Sequence, residues 1–268
     1  MSPELMKRLA ELVEARAGLS LPPEQAYRVE SRLAPVVAGV HPPTLDGLTA
    51  ALDVGPPDAL AAAVTEALLN TETTFFRDRE VFAHLREVVL PAITARGSTP
   101  RVWSAACGAG QEPYSLAMTA AEAGLRLDIC ASDLSEAGLQ KARAGAYSQF
   151  EVQRGLPVAR LLRCFDKVED LWRVKPELRS AVRWRRFNLM DDAAVLGGFD
   201  LILCRYAVAG MTETAGRAVL ASLGRALRPG GALLLGLDEG AGLIPDMLEA
   251  APGGRGLYQL KASKAFAA

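Results

Sequence analysis

The stretch Arg101-Val-Trp-Ser-Ala-Ala-Cys-Gly-Ala-Gly-Gln-Glu112 decides the fold of this chain. Arg101–Cys107 follows Pro100 and runs into glycines, and it reads as a short strand. A Gly-rich turn follows, and from about Gln111 to Ala123 the pattern is helical. Small residues at such a turn let the backbone approach a ligand closely, and the helix opening there offers it N–H groups. Leu127–Ser132 reads as the next strand, with Asp133 at its end, 26 residues after Cys107. In a strand–helix–strand unit, a carboxylate at that place can accept hydrogen bonds from two ribose hydroxyls. The plainer alternative is a Gly-rich turn with an ordinary helix cap.

The same grammar continues outward. Ser135 caps a helix through Ala142, and Val182–Phe187, Asp200–Cys204 and Ala232–Leu237 are further strands. Glu213–Leu227 is a helix that ends at Arg228-Pro-Gly-Gly231. Strands alternating with helices of this length predict a parallel, doubly wound sheet in an α/β domain. Tyr147–Arg179 fits neither period, so residues 147–179 are expected to be an insertion into that domain. Toward the N-terminus the pattern is helical only. Leu5, Leu9, Leu12 and Val13 recur at helical spacing up to Ala17-Gly18, and Pro22-Pro23-Glu24 opens a second helix with Tyr27, Val29 and Leu33. Thr44 or Asp46 can cap a third and Asp58 starts a fourth, while Leu69–Arg77 breaks the pattern and a further helix runs to about Leu90. The expected organisation is a helical unit over 1–90 and an α/β unit over 91–268.

Composition narrows the chemistry. Half of the 268 residues are hydrophobic, enough to bury a sizeable core, and the net charge of −1 gives no basic excess for nucleic acid. The two histidines, His41 and His84, and the scattered Cys107, Cys130, Cys164 and Cys204 make no metal-ligand spacing and no His-based triad. The cysteines read as reduced core residues of a cytoplasmic protein. No signal-like N-terminus and no apolar run of membrane-spanning length is present, so no insertion into a membrane is expected.

The charge pattern of the turn discriminates among adenosine-containing ligands. A dinucleotide fingerprint places a third Gly where this chain has Pro113. Glu112 puts an anion at the helix N-terminus, where it repels a diphosphate and welcomes a cation. S-adenosylmethionine carries a sulfonium and an ammonium and no phosphate, so it fits better than a dinucleotide.

Four segments carry a family resemblance: Thr71-Glu-Thr-Thr-Phe-Phe-Arg-Asp78, Trp103-Ser-Ala-Ala-Cys107, Gln111-Glu-Pro-Tyr-Ser-Leu-Ala-Met118 and Phe199-Asp-Leu-Ile-Leu-Cys-Arg205. Gly145-Ala-Tyr147 and Gly230-Gly231 with Gly236 fit as well. Over roughly residues 5–262 the chain resembles the chemotaxis receptor (CheR-type) protein-glutamate O-methyltransferases. The resemblance implies an all-α N-terminal domain before a Rossmann-like methyltransferase domain with a small inserted β-subdomain. It also implies S-adenosylmethionine as cofactor, with S-adenosylhomocysteine as product. Carried onto this sequence, Thr73, Arg77, Ala106, Glu112 and Asp133 contact the cofactor together with Gly108 and Gly110 of the turn, and Asn188 and Leu189 lie near the adenine. Arg77, Arg205 and Tyr206 are the catalytic candidates. The plain alternatives are an ion pair of Arg77 with Asp78 or Glu80 and an ordinary turn at Asn188. The implied partners are the cytoplasmic methylation helices of chemotaxis-type receptors, met by a monomer in the cytoplasm.

Two positions depart from the family pattern Cys-Arg-Asn-x-x-x-Tyr-Phe: Tyr206 stands for the Asn and Gly210 for the Tyr. They open the alternative of a catalytically weakened signalling module that binds S-adenosylmethionine. A small-molecule or nucleic-acid methyltransferase is disfavoured, since the Asn/Asp-Pro-Pro-Tyr motif of amino-group methyltransferases is missing. Residues 1–69 carry five Lys/Arg against nine Asp/Glu, and residues 151–190 carry ten against five. An acidic receptor helix would therefore be steered by the insertion, or by a local face holding Arg28 and Arg32. Cys164–Leu171 leaves little room for a long β-ribbon, so binding of a receptor's C-terminal peptide there is not expected.

Overall fold

The computed structural model describes residues 1–240 and 242–261. Four helices come first: α1 (Pro3–Ala17), α2 (Ala26–Val37), α3 (Leu45–Asp53) and α4 (Asp58–Leu68). Their ends follow from local chemistry. The Ser2 and Thr44 hydroxyls accept N–H bonds at the starts of α1 and α3, and Gly18 takes the left-handed conformation that closes α1. Leu5, Leu9, Val13, Leu33, Leu48 and Val64 form the buried seam between these helices. Tyr27 points away from it and is 86% exposed.

The next helical run is longer than its sequence suggests. α5 (Arg79–His84) continues through a π-helical turn, Leu85–Val89, into α6 (Leu90–Thr94). Pro91 ends no helix, because it sits in the first turn after the π-turn, where its missing N–H and its ring are tolerated. The helical run thus crosses Leu90–Pro91 without a break.

A strand–helix alternation follows: β1 (Arg101–Ala105), α7 (Gln111–Glu122), β2 (Asp128–Asp133) and α8 (Glu136–Ala144). The irregular stretch contains β3 (Ala146–Ser148), α9 (Gln149–Gln153), α10 (Val158–Cys164), β4 (Phe165–Val168), β5 (Leu171–Val174) and α11 (Pro176–Ser180). β3, β5 and β4 make a small antiparallel sheet of their own. Its β4–β5 hairpin turns at Glu169-Asp170 and has four-residue strands, in line with the expected lack of a long ribbon. The chain returns to the main sheet with β6 (Val182–Arg186) and β7 (Phe199–Cys204), then α12 (Glu213–Arg225) and β8 (Leu227–Leu235). β9 (Leu248–Ala250) and β10 (Leu257–Leu260) complete it.

The main sheet runs β6-β2-β1-β7-β8-β10-β9. The first five strands are parallel, whereas β10 is antiparallel to both β8 and β9. The antiparallel edge lies outside the sequence expectation, because β9 and β10 are only three and four residues long and flank a Pro-Gly-Gly turn. β8 also begins at Leu227, earlier than Ala232, with a register irregularity opposite Phe199–Leu201 beside Pro229-Gly230. From β1 the chain winds first toward β2 and β6 and then returns to place β7 on the other side. In a doubly wound sheet, the crevice beyond the carboxyl ends of strands at that reversal is where ligands bind.

The helical region docks on this end of the sheet. Leu19 bridges Met211, the Ser20 N–H donates to Gly210 O at 2.9 Å and the Thr212 N–H donates to Gly18 O at 2.9 Å. The Glu66 carboxylate of α4 accepts from the Ser135 hydroxyl and from the Glu136 and Ala137 N–H groups, so it caps α8 across the junction. The four cysteines are unpaired. Among the described residues no metal-ligating cluster occurs, and no helix is long and apolar enough to cross a membrane.

Gly18 meets two demands at once. Its φ is +67°, and a Cβ there would lie 2.7 Å from both Ala215 Cβ and Met190 Sδ. Gly18→Ala is expected to destabilise the protein by at least about 2 kcal/mol in urea unfolding, through left-handed strain and overlap with α12. A loss below about 0.5 kcal/mol would show that the junction gives way freely.

Candidate functional site

Four parallel strands end at one crevice. Ala106 follows β1, Asp133 closes β2, Asn188 and Leu189 follow β6, and Arg205 and Tyr206 follow β7. Arg77, from the segment between α4 and α5, reaches the same place. Arg77, Ala106, Asp133, Asn188, Leu189 and Tyr206 line one cavity of about 360 Å³, within the range of small-molecule sites. Ala17 and Leu19 of the helical region and Gly210 of the loop after β7 close its far side. A small cleft continuous with it is lined by Thr73, Gly108, Glu112 and Arg205, again with Arg77, Ala106 and Tyr206. Gly110 lies apart from both. It starts α7 with φ +91°, and a Cβ there would strike Ala142 and Trp184, so this glycine serves helix packing.

The carboxylates are held firmly. Asp133 accepts the Gly108 N–H at 2.7 Å and the Ser135 N–H at 2.8 Å, which ties the Gly-rich turn to the end of β2. Burial pushes its carboxyl above the usual range, against the opposing pull of those two backbone bonds. Glu112 accepts the Ser104 hydroxyl at 2.9 Å and pairs with Arg205 at 3.1 Å. The Asn188 amide donates to Arg16 O at 2.6 Å and accepts the Met190 N–H, so the residue anchors the end of α1 while lining the cavity.

Arg205 is buried and holds three elements. It pairs with Glu112 and with Asp78, and donates to Arg77 O at 3.1 Å. These three partners tie the guanidinium to the segment before α5 and to the first turn of α7. Arg77, in contrast, forms no ion pair among the described residues; the pairs with Asp78 and Glu80 are not made. Its guanidinium lies over the Tyr206 ring, 3.4 Å from the centroid. The Tyr206 hydroxyl donates to Asp78, so it is engaged within the protein, and burial and that bond raise its pKa.

Backbone strain gathers here. Phe76, Asp78, Ala106 and Tyr206 all have positive φ, a conformation that costs a residue with a side chain roughly 1 kcal/mol or more. Asn adopts it readily, which accounts for the Asn that the family pattern carries at position 206. Glu239 fixes the Tyr206 loop by accepting N–H bonds from Tyr206, Ala209 and Gly236. Sequence reading missed Glu239, which belongs to no periodic segment; the one available signal is the Asp238-Glu239 pair in an otherwise apolar, Gly-rich stretch. It also gave Asp78 only as an ion-pair partner for Arg77.

Comparison with known proteins now has a site to refer to. Residues 71–253 match the family described as CheR methyltransferase, SAM binding domain. The chain belongs to this family. It is 35% identical over 263 residues to the Chemotaxis protein methyltransferase Cher2 of Pseudomonas putida, covering 93% of this chain and 95% of the relative. It is 36% identical to Chemotaxis protein methyltransferase 1 of Pseudomonas aeruginosa, covering 90% and 93%. Identity to the Chemotaxis protein methyltransferase of Vibrio parahaemolyticus is 33%, covering 97% and 98%. A solved glycopeptide N-methyltransferase, MtfA complexed with S-adenosylmethionine, is 18% identical, covers 64% of each chain and has a TM-score of 0.36, a likeness that carries no further weight.

The cavity suits the family's cofactor on its own chemistry. Carboxylates at Glu112 and Asp133 suit a ligand with cationic groups and ribose hydroxyls. A Cβ at Gly108 would press on Thr71 O and the Thr73 methyl, so the turn stays bare where the backbone must approach closely. As a CheR-family protein the chain is an S-adenosylmethionine-dependent methyltransferase. Asp133→Ala removes the acceptor of two buried N–H groups along with any bond to the ligand. Calorimetry is expected to show S-adenosylmethionine affinity weakened by about 1.5–3 kcal/mol, with a lower unfolding temperature. Unchanged affinity in the folded variant would remove Asp133 from the site.

Proposed function

We propose that this chain transfers the methyl group of S-adenosylmethionine to glutamate side-chain carboxylates on the cytoplasmic methylation helices of chemotaxis-type receptors. The relatives named as chemotaxis protein methyltransferases support that substrate class over nearly their whole length. The observation in this chain that carries the reading is Arg77: a guanidinium free of ion pairs, stacked on Tyr206 at the wall of the cavity that holds Asp133 and Asn188. The helical residues 1–90 and the α/β residues 91–268 would act as two units sharing this cavity, with residues 262–268 of the second outside the described range.

The cofactor supplies an electrophilic methyl on a sulfonium. A glutamate carboxylate, with an ordinary pKa of about 4.3, is ionised at neutral pH and needs no general base. The residues of this chain align it and exclude water. Arg77 has a planar fork with which to hold one carboxylate. Asp133 and the bare turn at Gly108 seat the adenosine, and Asn188 and Leu189 border the adenine. Ala17 and Leu19 cover the cavity on the helical side.

Docking draws on charge. The inserted subdomain and β6 hold Arg173, Lys175, Arg185 and Arg186, where an acidic helix would be steered, whereas Arg183 is already paired with Asp128. Arg32 contributes less than its charge suggests, since its guanidinium donates to Leu68 O and Leu69 O. We place the reaction in the cytoplasm with the enzyme as a monomer. The alternative of a non-catalytic module that binds S-adenosylmethionine is not favoured by the named relatives.

Purified chain with labelled S-adenosylmethionine and receptor fragments is expected to deposit a base-labile methyl ester; a chain that binds the cofactor yet transfers nothing would support the alternative. Gly210 tests the geometry. A Cβ there meets nothing within 4 Å, and its φ lies outside the left-handed region, so a side chain is tolerated. Gly210→Tyr restores the family residue on the wall shared with Arg77 and is expected to raise turnover, by up to ~100-fold if one positioning contact is regained. Equal turnover in both forms would show that the role is filled without residue 210.

A further inference from the structure

Tyr206 stands in a left-handed conformation that disfavours it, so its side chain needs a compensating role. Its ring has two neighbours that define that role. On one face lies the Arg77 guanidinium, 3.4 Å from the centroid. Gly236 also lies against the ring: a Cβ there would sit 2.8 Å from Tyr206 Cδ1 and Cε1, so only glycine leaves room for it. The hydroxyl donates to Asp78 Oδ2, the same oxygen that receives the Arg205 guanidinium. Asp78 itself has φ +61° at the start of α5 and is adjacent in sequence to Arg77. The Arg77 carbonyl is held by Arg205 as well.

We infer that Asp78 and Tyr206 form a clamp that positions Arg77 for methyl transfer: Asp78 anchors the phenol, and the phenol ring fixes the Arg77 guanidinium at the cavity wall. The inference rests on the proposed methyl-transfer function. Asp78 and Tyr206 are positioning residues in it, and the group they present to a substrate is Arg77. An Arg carries several rotatable bonds, and an unpaired guanidinium at a cavity wall samples many of their rotamers. A stacked ring removes most of that freedom before substrate arrives, while the guanidinium N–H groups, which make no ion pair among the described residues, are left for a carboxylate. Asp78 is engaged by the Arg205 guanidinium and the Tyr206 hydroxyl and makes no ion pair with Arg77 among the described residues.

Steady-state methylation of receptor fragments by the wild type, Tyr206→Phe, Asp78→Asn and the double variant tests the clamp, alongside calorimetry with S-adenosylhomocysteine. Each single variant is expected to lose about tenfold to hundredfold in kcat, with KM for S-adenosylmethionine and S-adenosylhomocysteine affinity unchanged. The double variant is expected to be no worse than the poorer single one, because both break the same link. Ultraviolet titration of the phenol gives a readout without turnover. The difference between wild type and Tyr206→Phe reports the Tyr206 phenol, which titrates above the usual range and moves down in Asp78→Asn. Tyr206→Phe keeps the Asp78–Arg205 pair, so it remains informative if Asp78→Asn folds poorly. Wild-type transfer with kcat unchanged in Tyr206→Phe, or a phenol titration indifferent to Asp78→Asn, would overturn the clamp alone. A wild type that binds S-adenosylhomocysteine but transfers no methyl would overturn the methyl-transfer reading and the positioning role with it.

Discussion

The buried guanidinium of Arg205 is the constraint on which the site depends. It leaves β7 at the reversal point of the sheet and meets Glu112 in the first turn of α7 and Asp78 before α5. A charge so buried is tolerated only with partners, and losing one partner of such a pair costs about 3–5 kcal/mol. Three elements distant in sequence must therefore meet at one point for any of these charges to be satisfied. That requirement holds Phe76, Asp78, Ala106 and Tyr206 in conformations they would not adopt alone. The strain is offset by the ion pairs, by the Glu239 carboxylate on the loop N–H groups, and by aromatic packing of Phe75 against Tyr147 and Phe165.

The site is also a junction. The carbonyl of Arg16 at the end of α1 accepts from Asn188 beyond β6, Ser20 and Gly18 exchange backbone bonds with Gly210 and Thr212, and Glu66 caps α8. The cavity that receives the cofactor in this reading is thus walled by the helical region on one side and by strand ends on the other. Loosening the helices would change the shape of the cavity as well as the stability of the chain. The inserted subdomain is tied in separately. Tyr147 donates to Ala109 O in the Gly-rich turn, and Gly155 packs on the Phe75 carbonyl, where a Cβ would be 2.0 Å away. The inserted subdomain is in this way braced against the turn that borders the cavity.

Most of this architecture was legible in the linear chain where a local rule operates. Period and punctuation gave the four N-terminal helices, the five parallel strands and the capped helices α8 and α12, because caps, glycines and apolar spacing act over a few residues. Motif residues singled out Arg77, Asp133 and Asn188, and the three line one cavity. The antiparallel edge of β9 and β10 was not legible, since strands of three and four residues carry too little pattern to separate from a loop. At Pro91 the residues allow either an interruption or the start of the last turn, and the structure has the second, directly after a π-turn.

By itself the sequence determined the alternation of main-sheet strands and helices from β1 to β8, the strand ends at which the cavity-lining residues gather, and the family to which the chain belongs. Only the tertiary structure decided which charges meet. Asp78 faces Arg205 and Tyr206 and leaves Arg77 unpaired; Gly110 packs against a helix and lies apart from the cavity; Glu239 closes the loop after β7. The physical reason is that a side chain's partner is set by where the backbone points it across spans from 30 residues, for Glu239 and Ala209, to 128, for Tyr206 and Asp78. Local propensity carries no information over such spans, whereas burial forces a charge as enclosed as that of Arg205 to find partners.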